Sequence, residues 1–311
     1  MSYTPAQIRD LREMTGAGML DCKNALSENN GNMDEAVDWL RKKGLSKAAK
    51  KSGRIAAEGL VAVAANGNKA VVIELNSETD FVARNPEFQQ LAFTVAQAAL
   101  KTEGDVEALK ASKLESGETV EQAITNAVAK IGEHLNLRRT TKLAVNQGVV
   151  ASYVHSAIAP NLGKIAVLVA LESAAPADKL QALGKQIAMH IAAAKPEALN
   201  REQVSGESLE RERGVFREQA LASGKPADVV EKMVDGRIRK FYEEVVLLEQ
   251  LFVIDGKSKI SEVVEAAAKE AGSPITVVGF ERFGLGDGIQ KEESDFAAEV
   301  AATAAAGAAT A

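Results

Sequence analysis

The sequence is poor in the residues that build disulfide frameworks and metal centres. Its 311 residues include one cysteine, Cys22, and three histidines, His134, His155 and His190. A single cysteine excludes an internal disulfide and indicates a reducing compartment. No two histidines have the spacing of a metal-binding pair, and no cysteine stands beside them. The composition therefore argues against a zinc site and against a disulfide-stabilised secreted fold.

Aromatic residues, excess positive charge and long apolar runs are also scarce. Aromatics make up 4% of the chain and the net charge is −6, which argues against a protein that mainly grips nucleic-acid phosphates. Apolar runs such as IAVLVAL are far shorter than the roughly 20 residues of a membrane span. The first residues, MSYTPAQIRD, lack the pattern of a signal peptide. We expect a cytoplasmic protein.

Catalytic and phosphate-binding motifs fail on inspection. The segment GAGMLD has Asp21 where a dinucleotide fingerprint needs its third glycine, and Gly256-Lys257-Ser258 lacks a P-loop because Leu251 occupies the position of the first glycine. His155 has no orienting partner in the sequence, so alone it does not predict a general base. His190 stands in the apolar helical segment IAMHIAAA, which favours a packed core histidine. We expect no covalent catalysis.

The first 54 residues predict a three-helix module followed by a basic linker. Apolar residues recur at helical spacing in three groups, and Thr15 and Asn32 stand where N-caps belong; the groups are Ile8, Leu11 and Met14, then Met19, Cys22, Ala25 and Leu26, then Ala36, Val37 and Leu40. The basic stretch 41–54 is either a patch for an acidic partner or a solvated linker or helix end, and short charge runs favour the second.

An internal repeat predicts an α+β core. Residues 59–76 and 148–172 each contain a Gly-Val-Ala-type strand, a turn with Asn and Gly, a lysine and a second apolar strand. A predicted helix follows each hairpin, from Pro86 to about Lys101 and from Lys179 to about Ala194, and 275–283 predicts a further strand. The repeat indicates two related α+β subdomains with antiparallel β-hairpins and helices.

Residues 207–248 predict an antiparallel helical hairpin. The helical pattern is broken once, at SGKP, where Gly224 suits a helix end and Pro226 a helix start. An apolar stripe follows, formed by Val230, Val234, Ile238, Phe241 and Val245. It serves either packing within the hairpin or a face for a partner helix or a second copy of the chain.

The stretch ELNSETDFVARNPEF, residues 74–88, sets an acid beside a large aromatic between a predicted strand and a predicted helix. From its position alone, Phe81 would be assigned to the core at the border of the loop. Asp80 has two open interpretations, a side chain that shapes its own turn or one that contacts a partner.

Five motifs, in chain order, resemble those of bacterial elongation factor Ts. They are LREMTGAGMLDCKNAL, ETDFVARNPEF, IAMHIAAAKPEAL, SGKPADVVEKMVDGRIRKF and FAAEVAA. The resemblance implies a guanine nucleotide exchange factor that binds elongation factor Tu in its GDP form, disturbs the magnesium and phosphate site of that GTPase, and is displaced by GTP. It implies no cofactor, no covalent chemistry and no direct binding of nucleic acid or membrane.

The same resemblance implies an organisation of the chain. Its parts are a ubiquitin-associated-like module with basic linker (1–54), a core subdomain N (55–140), a core subdomain C (141–200 and 249–290), an inserted coiled-coil hairpin (201–248) and a helical tail (291–311). A homodimer or 2:2 complex through the hairpin is the oligomeric arrangement considered.

Residue by residue, the resemblance also implies contacts with the GTPase. The motif Thr79, Asp80, Phe81 and Val82 would enter the partner near its magnesium ion. Further contacts would come from Arg12, Met19, Leu20, His155, Val253 and Ile254. Without the resemblance, Met19 and Leu20 would be assigned to the core of the small module.

Overall fold

The computed structural model describes residues 3–15, 17–222, 224 and 226–290. The helices of this part are α1 (Pro5–Thr15), α2 (Met19–Glu28), α3 (Met33–Lys51), α4 (Pro86–Ala99), α5 (Val106–Ala111), α6 (Val120–Ile131), α7 (Ala177–Ala194), α8 (Gly206–Leu221), α9 (Ala227–Val245) and α10 (Ile260–Ala271). The strands are β1 (Glu58–Asn66), β2 (Lys69–Ser77), β3 (Asn136–Ala144), β4 (Gly148–His155), β5 (Leu162–Gly163), β6 (Ile165–Glu172) and β7 (Thr276–Gly284). The predicted tail, 291–311, lies outside the described residues.

Two antiparallel sheets form the centre of the α+β fold. One has the strand order β3-β2-β1-β5 and the other β4-β6-β7. Both predicted hairpins are confirmed, as β1 with β2 and as β4 with β6, and so are the helices after them and the strand β7. The longer connection of the second hairpin contains β5, which pairs with β1 of the first sheet. The predicted boundary at residue 140 falls inside β3, which pairs with β2 as far as Ala144.

The two sheets pack face to face and helices cover their outer faces. Along β1, Leu60 and Ala62 belong to the cluster shared with α4 and α6, whereas Val61 and Val63 belong to the cluster between the sheets. Successive side chains of a strand point to opposite faces, so burial on both faces requires an almost continuous apolar run. The outer face of the second sheet packs on α7 and α10.

The first three helices enclose a small core of their own, with Leu11, Cys22 and Leu26 fully buried. Asn32 caps α3 as predicted, because its side chain accepts hydrogen bonds from the N–H groups of Asp34 and Glu35. Two predictions are wrong. The N-cap of α2 is Gly18, whereas the Thr15 hydroxyl donates to the Leu11 carbonyl (2.6 Å). Met14, expected to line the core, is 66% exposed.

The basic stretch 41–54 is mostly the last part of α3. Three of its cations have partners within the chain: Lys43 with Asp21 (3.1 Å), Arg54 with Glu78 (3.2 Å), and Lys51, whose ammonium donates to the carbonyl of Gly132. These contacts support the interpretation as a helix end rather than a patch.

Helices α8 and α9 pack against each other. Arg217 on α8 pairs with Glu231 on α9 (3.0 Å), whereas Arg213, earlier on α8, pairs with Asp235, later on α9 (3.6 Å). The two helices are therefore antiparallel. Val230, Val234 and Ile238 are buried between them. Packing within the hairpin accounts for this part of the stripe. No described helix has the length and apolarity to cross a membrane.

Candidate functional site

The loop between β2 and α4 is fixed at both of its ends. On the strand side, the Ser77 hydroxyl donates to the Thr79 carbonyl (2.9 Å). On the helix side, Val82–Arg84 form one 3₁₀ turn, and Asn85 caps α4 by accepting from the Glu87 N–H (2.8 Å). Proline at the first helical position suits this start, because its missing N–H is not needed there. Two residues, Asp80 and Phe81, form the tip.

Phe81 projects into solvent with 74% of its surface exposed. The core position that its place in the sequence alone would give is therefore excluded; the turn places Val82 (6% exposed) and Ala83 (2%) in the core instead. The Asp80 side chain is exposed and has no hydrogen-bond or ion-pair partner among the described residues. It therefore does not stabilise its own turn, which leaves it free for a partner.

Glu133, in the segment after α6, holds the loop from the side. Its carboxylate accepts from both the Thr79 N–H (2.9 Å) and the Thr79 hydroxyl (2.6 Å). Beside it, Glu78 accepts from the His134 N–H (2.6 Å) and pairs with Arg54. Burial raises the pKa of Glu78, but the His134 N–H and the Arg54 guanidinium lower it more, so the pKa lies below its ordinary value. No sequence motif signalled these partners: Thr79 and Glu133 lie 54 positions apart, and Glu78 and His134 lie 56 apart.

Val253 and Ile254 lie on a tight turn between α9 and α10, after the chain has left the helical hairpin. They are 50% and 52% exposed, and the neighbouring Leu251, which is not among the residues predicted to contact a partner, is 57% exposed. Phe252, between Leu251 and Val253, is buried, so the exposure of successive side chains alternates at this point. Residues 251–254 are all apolar in the sequence, so no sequence signal distinguishes the exposed Leu251 from the buried Phe252.

Buried His190 anchors this turn. Its Nδ1 accepts from the Val253 N–H (3.3 Å), so its Nε2 carries the proton and donates to the Gln250 side-chain oxygen (2.8 Å). Burial lowers the pKa of His190 below its ordinary value, with the Gln250 hydrogen bond opposing this in part. The prediction of a packed core histidine is confirmed, since His190 is 0% exposed.

His155 stands exposed at the end of β4. Its Nδ1 lies 3.0 Å from the Tyr153 hydroxyl, and the two rings are 6.0 Å apart. Tyr153 thus supplies the orienting group that the sequence did not reveal. No described carboxylate completes an acid–base set with this pair.

The N-terminal module exposes the residues chosen from it. Arg12 is exposed, Met19 is 54% exposed and Leu20 is 69% exposed. The assignment of Met19 and Leu20 to the core is therefore wrong; only Cys22, Ala25 and Leu26 of α2 are buried. The exposed side chains of Met14, Met19 and Leu20 give the turn between α1 and α2 an apolar surface.

The candidate residues thus lie on four separate segments and form no reaction centre. The space between the facing sheets is filled by apolar side chains such as Val72, Val150 and Leu168. Within the described ranges, no group of three His, Cys, Asp or Glu residues is placed to hold a metal ion. Exposed apolar groups on rigid turns are typical of a protein-binding surface.

Comparisons with known proteins agree with the motifs. The family model described as "Elongation factor TS" matches residues 78–287. The elongation factor Ts of Rhodospirillum rubrum is 59% identical over 301 residues, which cover 96% of this chain and 97% of that protein. The protein of the same name from Gluconobacter oxydans is 58% identical (97% and 98% covered), and that from Brucella abortus 55% (98% and 99%). The chain belongs to the elongation factor Ts family.

Proposed function

We propose that this chain is the guanine nucleotide exchange factor of elongation factor Tu. It binds the GDP-loaded GTPase, disturbs the magnesium and phosphate site of that protein, lets GDP leave, and is displaced when GTP binds. It performs no covalent chemistry and needs no cofactor. A translation factor of this kind works in the cytoplasm.

The observation that carries the proposal is the tip of the β2–α4 loop. A phenylalanine with 74% of its surface in water gains nothing for the fold, and a loop pinned at both ends presents it in a fixed position. Fixed apolar side chains bind with little loss of conformational entropy. Insertion of Phe81 between elements of the GTPase, with Asp80 beside it, would displace the groups that hold the magnesium ion and the phosphates.

Exchange follows from negative coupling between the factor and the nucleotide. If the factor weakens the affinity for GDP by some ratio, GDP weakens the affinity for the factor by the same ratio. The factor must therefore bind the nucleotide-free GTPase better than either loaded form. Loosening either the phosphate loop or the magnesium ion lowers the barrier to GDP release.

Phe81 alone accounts for only part of the effect. Burial of one phenylalanine side chain contributes about 1.5–3 kcal/mol, and each tenfold acceleration requires about 1.4 kcal/mol. One or two decades of release rate are thus within reach of this side chain, less the cost of distorting the partner. Larger accelerations need contacts from the other segments.

We propose the remaining contacts on the basis of exposure and family membership. The N-terminal module would dock through Arg12, Met19 and Leu20, and the second half of the core through His155, Val253 and Ile254. Of the Thr79–Val82 motif, Asp80 and Phe81 are free to touch the partner, whereas Val82 is buried and holds the turn. The division into a ubiquitin-associated-like module, two subdomains and a coiled-coil insertion stays part of this proposal.

A homodimer or 2:2 complex through the helical hairpin also stays a prediction. The hairpin buries Val230, Val234 and Ile238 within itself, but it leaves Val215 (42%) and Leu221 (55%) exposed on α8. Such a pair could join a second copy. Analytical ultracentrifugation of the chain with and without elongation factor Tu would measure the stoichiometry.

A nucleic-acid adaptor is the alternative, and the contacts of Lys43, Lys51 and Arg54 within the chain count against it. The adaptor would bind tightly and with a steep dependence on salt in a gel-shift titration. Exchange activity is tested by loading elongation factor Tu with labelled GDP and chasing with unlabelled nucleotide. We expect the chain to accelerate release in proportion to its concentration until saturation; no acceleration would refute the proposal.

A further inference from the structure

We propose that Glu133 is a positioning residue for nucleotide exchange, because it fixes the loop that carries Asp80 and Phe81. The inference rests on the proposed function and adds a residue outside the motif that touches the GTPase. It also changes the role of Thr79, which the family resemblance places among the partner contacts. Thr79 becomes the point at which the loop is held.

The geometry is that of a two-pronged clamp. One Glu133 oxygen accepts from the Thr79 N–H at 2.9 Å and the other accepts from the Thr79 hydroxyl at 2.6 Å. The Thr79 carbonyl accepts from Ser77 at 2.9 Å. Both donors and the carbonyl of Thr79 are thus engaged within the chain. The two residues beyond it, Asp80 and Phe81, are the exposed tip.

The platform that bears Glu133 is itself fixed. Helix α6 ends at Ile131 and is capped by Gly132, whose φ of 84° turns the chain sharply and whose N–H donates to the Val128 carbonyl. The next residue but one, His134, donates its N–H to Glu78 and, through Nδ1, a hydrogen bond to the Arg54 carbonyl (2.8 Å). Glu133 therefore stands between two anchored residues.

A second pair of contacts links the same platform to the N-terminal module. Lys51, at the end of α3, donates to the Gly132 carbonyl, and Arg54 pairs with Glu78. The chain thus connects the proposed docking module with the proposed wedge through residues 132–134. Since a displacement of about 1 Å can cost as much as 100-fold in a geometry-dependent step, loosening this platform should reduce exchange.

The clamp lies outside the core, so it can be removed without unfolding the protein. Val82 and Ala83 hold the far side of the loop in the core, and they do not depend on Glu133. Charged hydrogen bonds at a partly solvated site contribute to local order more than to global stability. We therefore expect a variant without Glu133 to fold normally and to present Phe81 loosely.

The test compares Glu133→Ala, Thr79→Val and Thr79→Ser with the wild-type chain. At saturating factor, Glu133→Ala, which removes both hydrogen bonds, should lower the maximal rate of GDP release from elongation factor Tu about tenfold. Thr79→Val, which keeps the N–H donor, should lower that rate by a smaller factor. The double variant should lose no more than Glu133→Ala alone, because the hydroxyl of Thr79 acts only through Glu133. Thr79→Ser retains both donors and should release GDP at the wild-type rate. Glu121→Ala, on the exposed start of α6, is the matched control.

Hydrogen exchange in the free chain provides a measurement that does not need the GTPase. The Thr79 amide should be protected in the wild type and lose protection in Glu133→Ala, while the amides of α4 and the melting temperature stay unchanged. If Phe81→Ala slows GDP release but Glu133→Ala and Thr79→Val do not, the positioning role is refuted and the proposed function survives. If the wild-type chain does not accelerate GDP release from elongation factor Tu, the proposed function fails. The protection of the Thr79 amide still shows whether the clamp exists.

Discussion

Two phenylalanines seven positions apart show how strongly a single turn decides exposure. Phe88 on α4 is fully buried, whereas Phe81 is 74% exposed. The 3₁₀ turn from Val82 to Arg84 and the cap at Asn85 separate them and reverse the direction of the side chains. Among the phenylalanines of the described residues, Phe81 is the most exposed. Its exposure gives up burial energy in the free protein and keeps that energy available for a complex.

At the same scale, buried His190 should make the stability of the protein depend on pH. Its folded pKa lies below the ordinary 6.5 because burial disfavours the imidazolium. Below about pH 6.5 the unfolded chain takes up a proton that the folded chain refuses, so stability is complete above that pH and falls as the pH drops toward the folded pKa. The slope is at most about 1.4 kcal/mol per pH unit.

Urea denaturation between pH 8 and pH 5.5 measures this dependence. The His190→Gln variant should lose this component of the slope, although its stability at pH 8 is lower than that of the wild type. Subtracting the two profiles removes the contributions of carboxylates, including Glu281, whose pKa is raised by burial. Parallel profiles for the two proteins would show that His190 does not carry the effect.

At the scale of elements, the two hairpins share one physical requirement near the start of their first strands. Gly59 and Gly148 have φ of 115° and 133°, a region that L side chains rarely adopt. A Cβ at Gly59 would collide with the Leu75 carbonyl, and one at Gly148 with the Leu171 carbonyl. The repeated glycine therefore marks a close approach of two paired strands. The repeat in the sequence reflects a repeated backbone conformation.

Replacement of this glycine should be strongly destabilising. We expect Gly148→Ala to lower the free energy of unfolding by about 2 kcal/mol or more, since it combines backbone strain with a clash against a carbonyl that cannot move aside. Gly214→Ala is the matched control: Gly214 lies within α8 with nothing near its would-be Cβ, and alanine there should stabilise by up to about 1 kcal/mol. Chemical denaturation should show opposite signs, and equal effects would contradict this account.

At the scale of the whole molecule, a buried carboxylate joins the two sheets. Glu74 on β2 is 0% exposed and accepts from Arg138 (3.1 Å), from Arg139 (2.5 Å) and from the Gly286 N–H (2.8 Å) beyond β7. Arg139 also donates to the Gly284 carbonyl (2.9 Å) and stacks on Phe283. The first sheet is thereby tied to the last strand of the second, which fixes the relative positions of the proposed contact segments.

Neutralising this carboxylate should destabilise the whole molecule. We expect Glu74→Gln to cost about 3 kcal/mol, because both arginines would lose their shared counter-charge in a buried setting. Glu103→Gln, which removes an exposed partner of Lys142, should leave the unfolding transition in place. Thermal unfolding followed by circular dichroism would compare them. A Glu74→Gln midpoint equal to that of the wild type would show that the sheets are held by apolar contacts alone.

Local signals in the sequence sufficed for the elements but not for their assembly. The caps Asn32 and Asn85, the break at Gly224 and Pro226, and the two hairpins are properties of short stretches and could be predicted. The cap at Thr15 is wrong, and so is the core position that helical spacing alone would give to Met14, Met19 and Leu20. Amphipathic spacing does not specify which apolar residues a small module leaves outside. The pair Thr79–Glu133 and the buried Glu74 depend on segments distant in sequence, which no periodicity reveals.

The proposed role of Phe81, a wedge that loosens GDP from elongation factor Tu, can be tested in one measurement. The release of labelled GDP is followed by stopped flow at saturating concentrations of the wild-type chain and of Phe81→Ala. Val278→Ala, another exposed apolar position, is the control. We expect GDP release with Phe81→Ala to be about 10- to 100-fold slower than with the wild type, yet still faster than without factor, with equal melting temperatures. Equal release rates for Phe81→Ala and the wild type would contradict it.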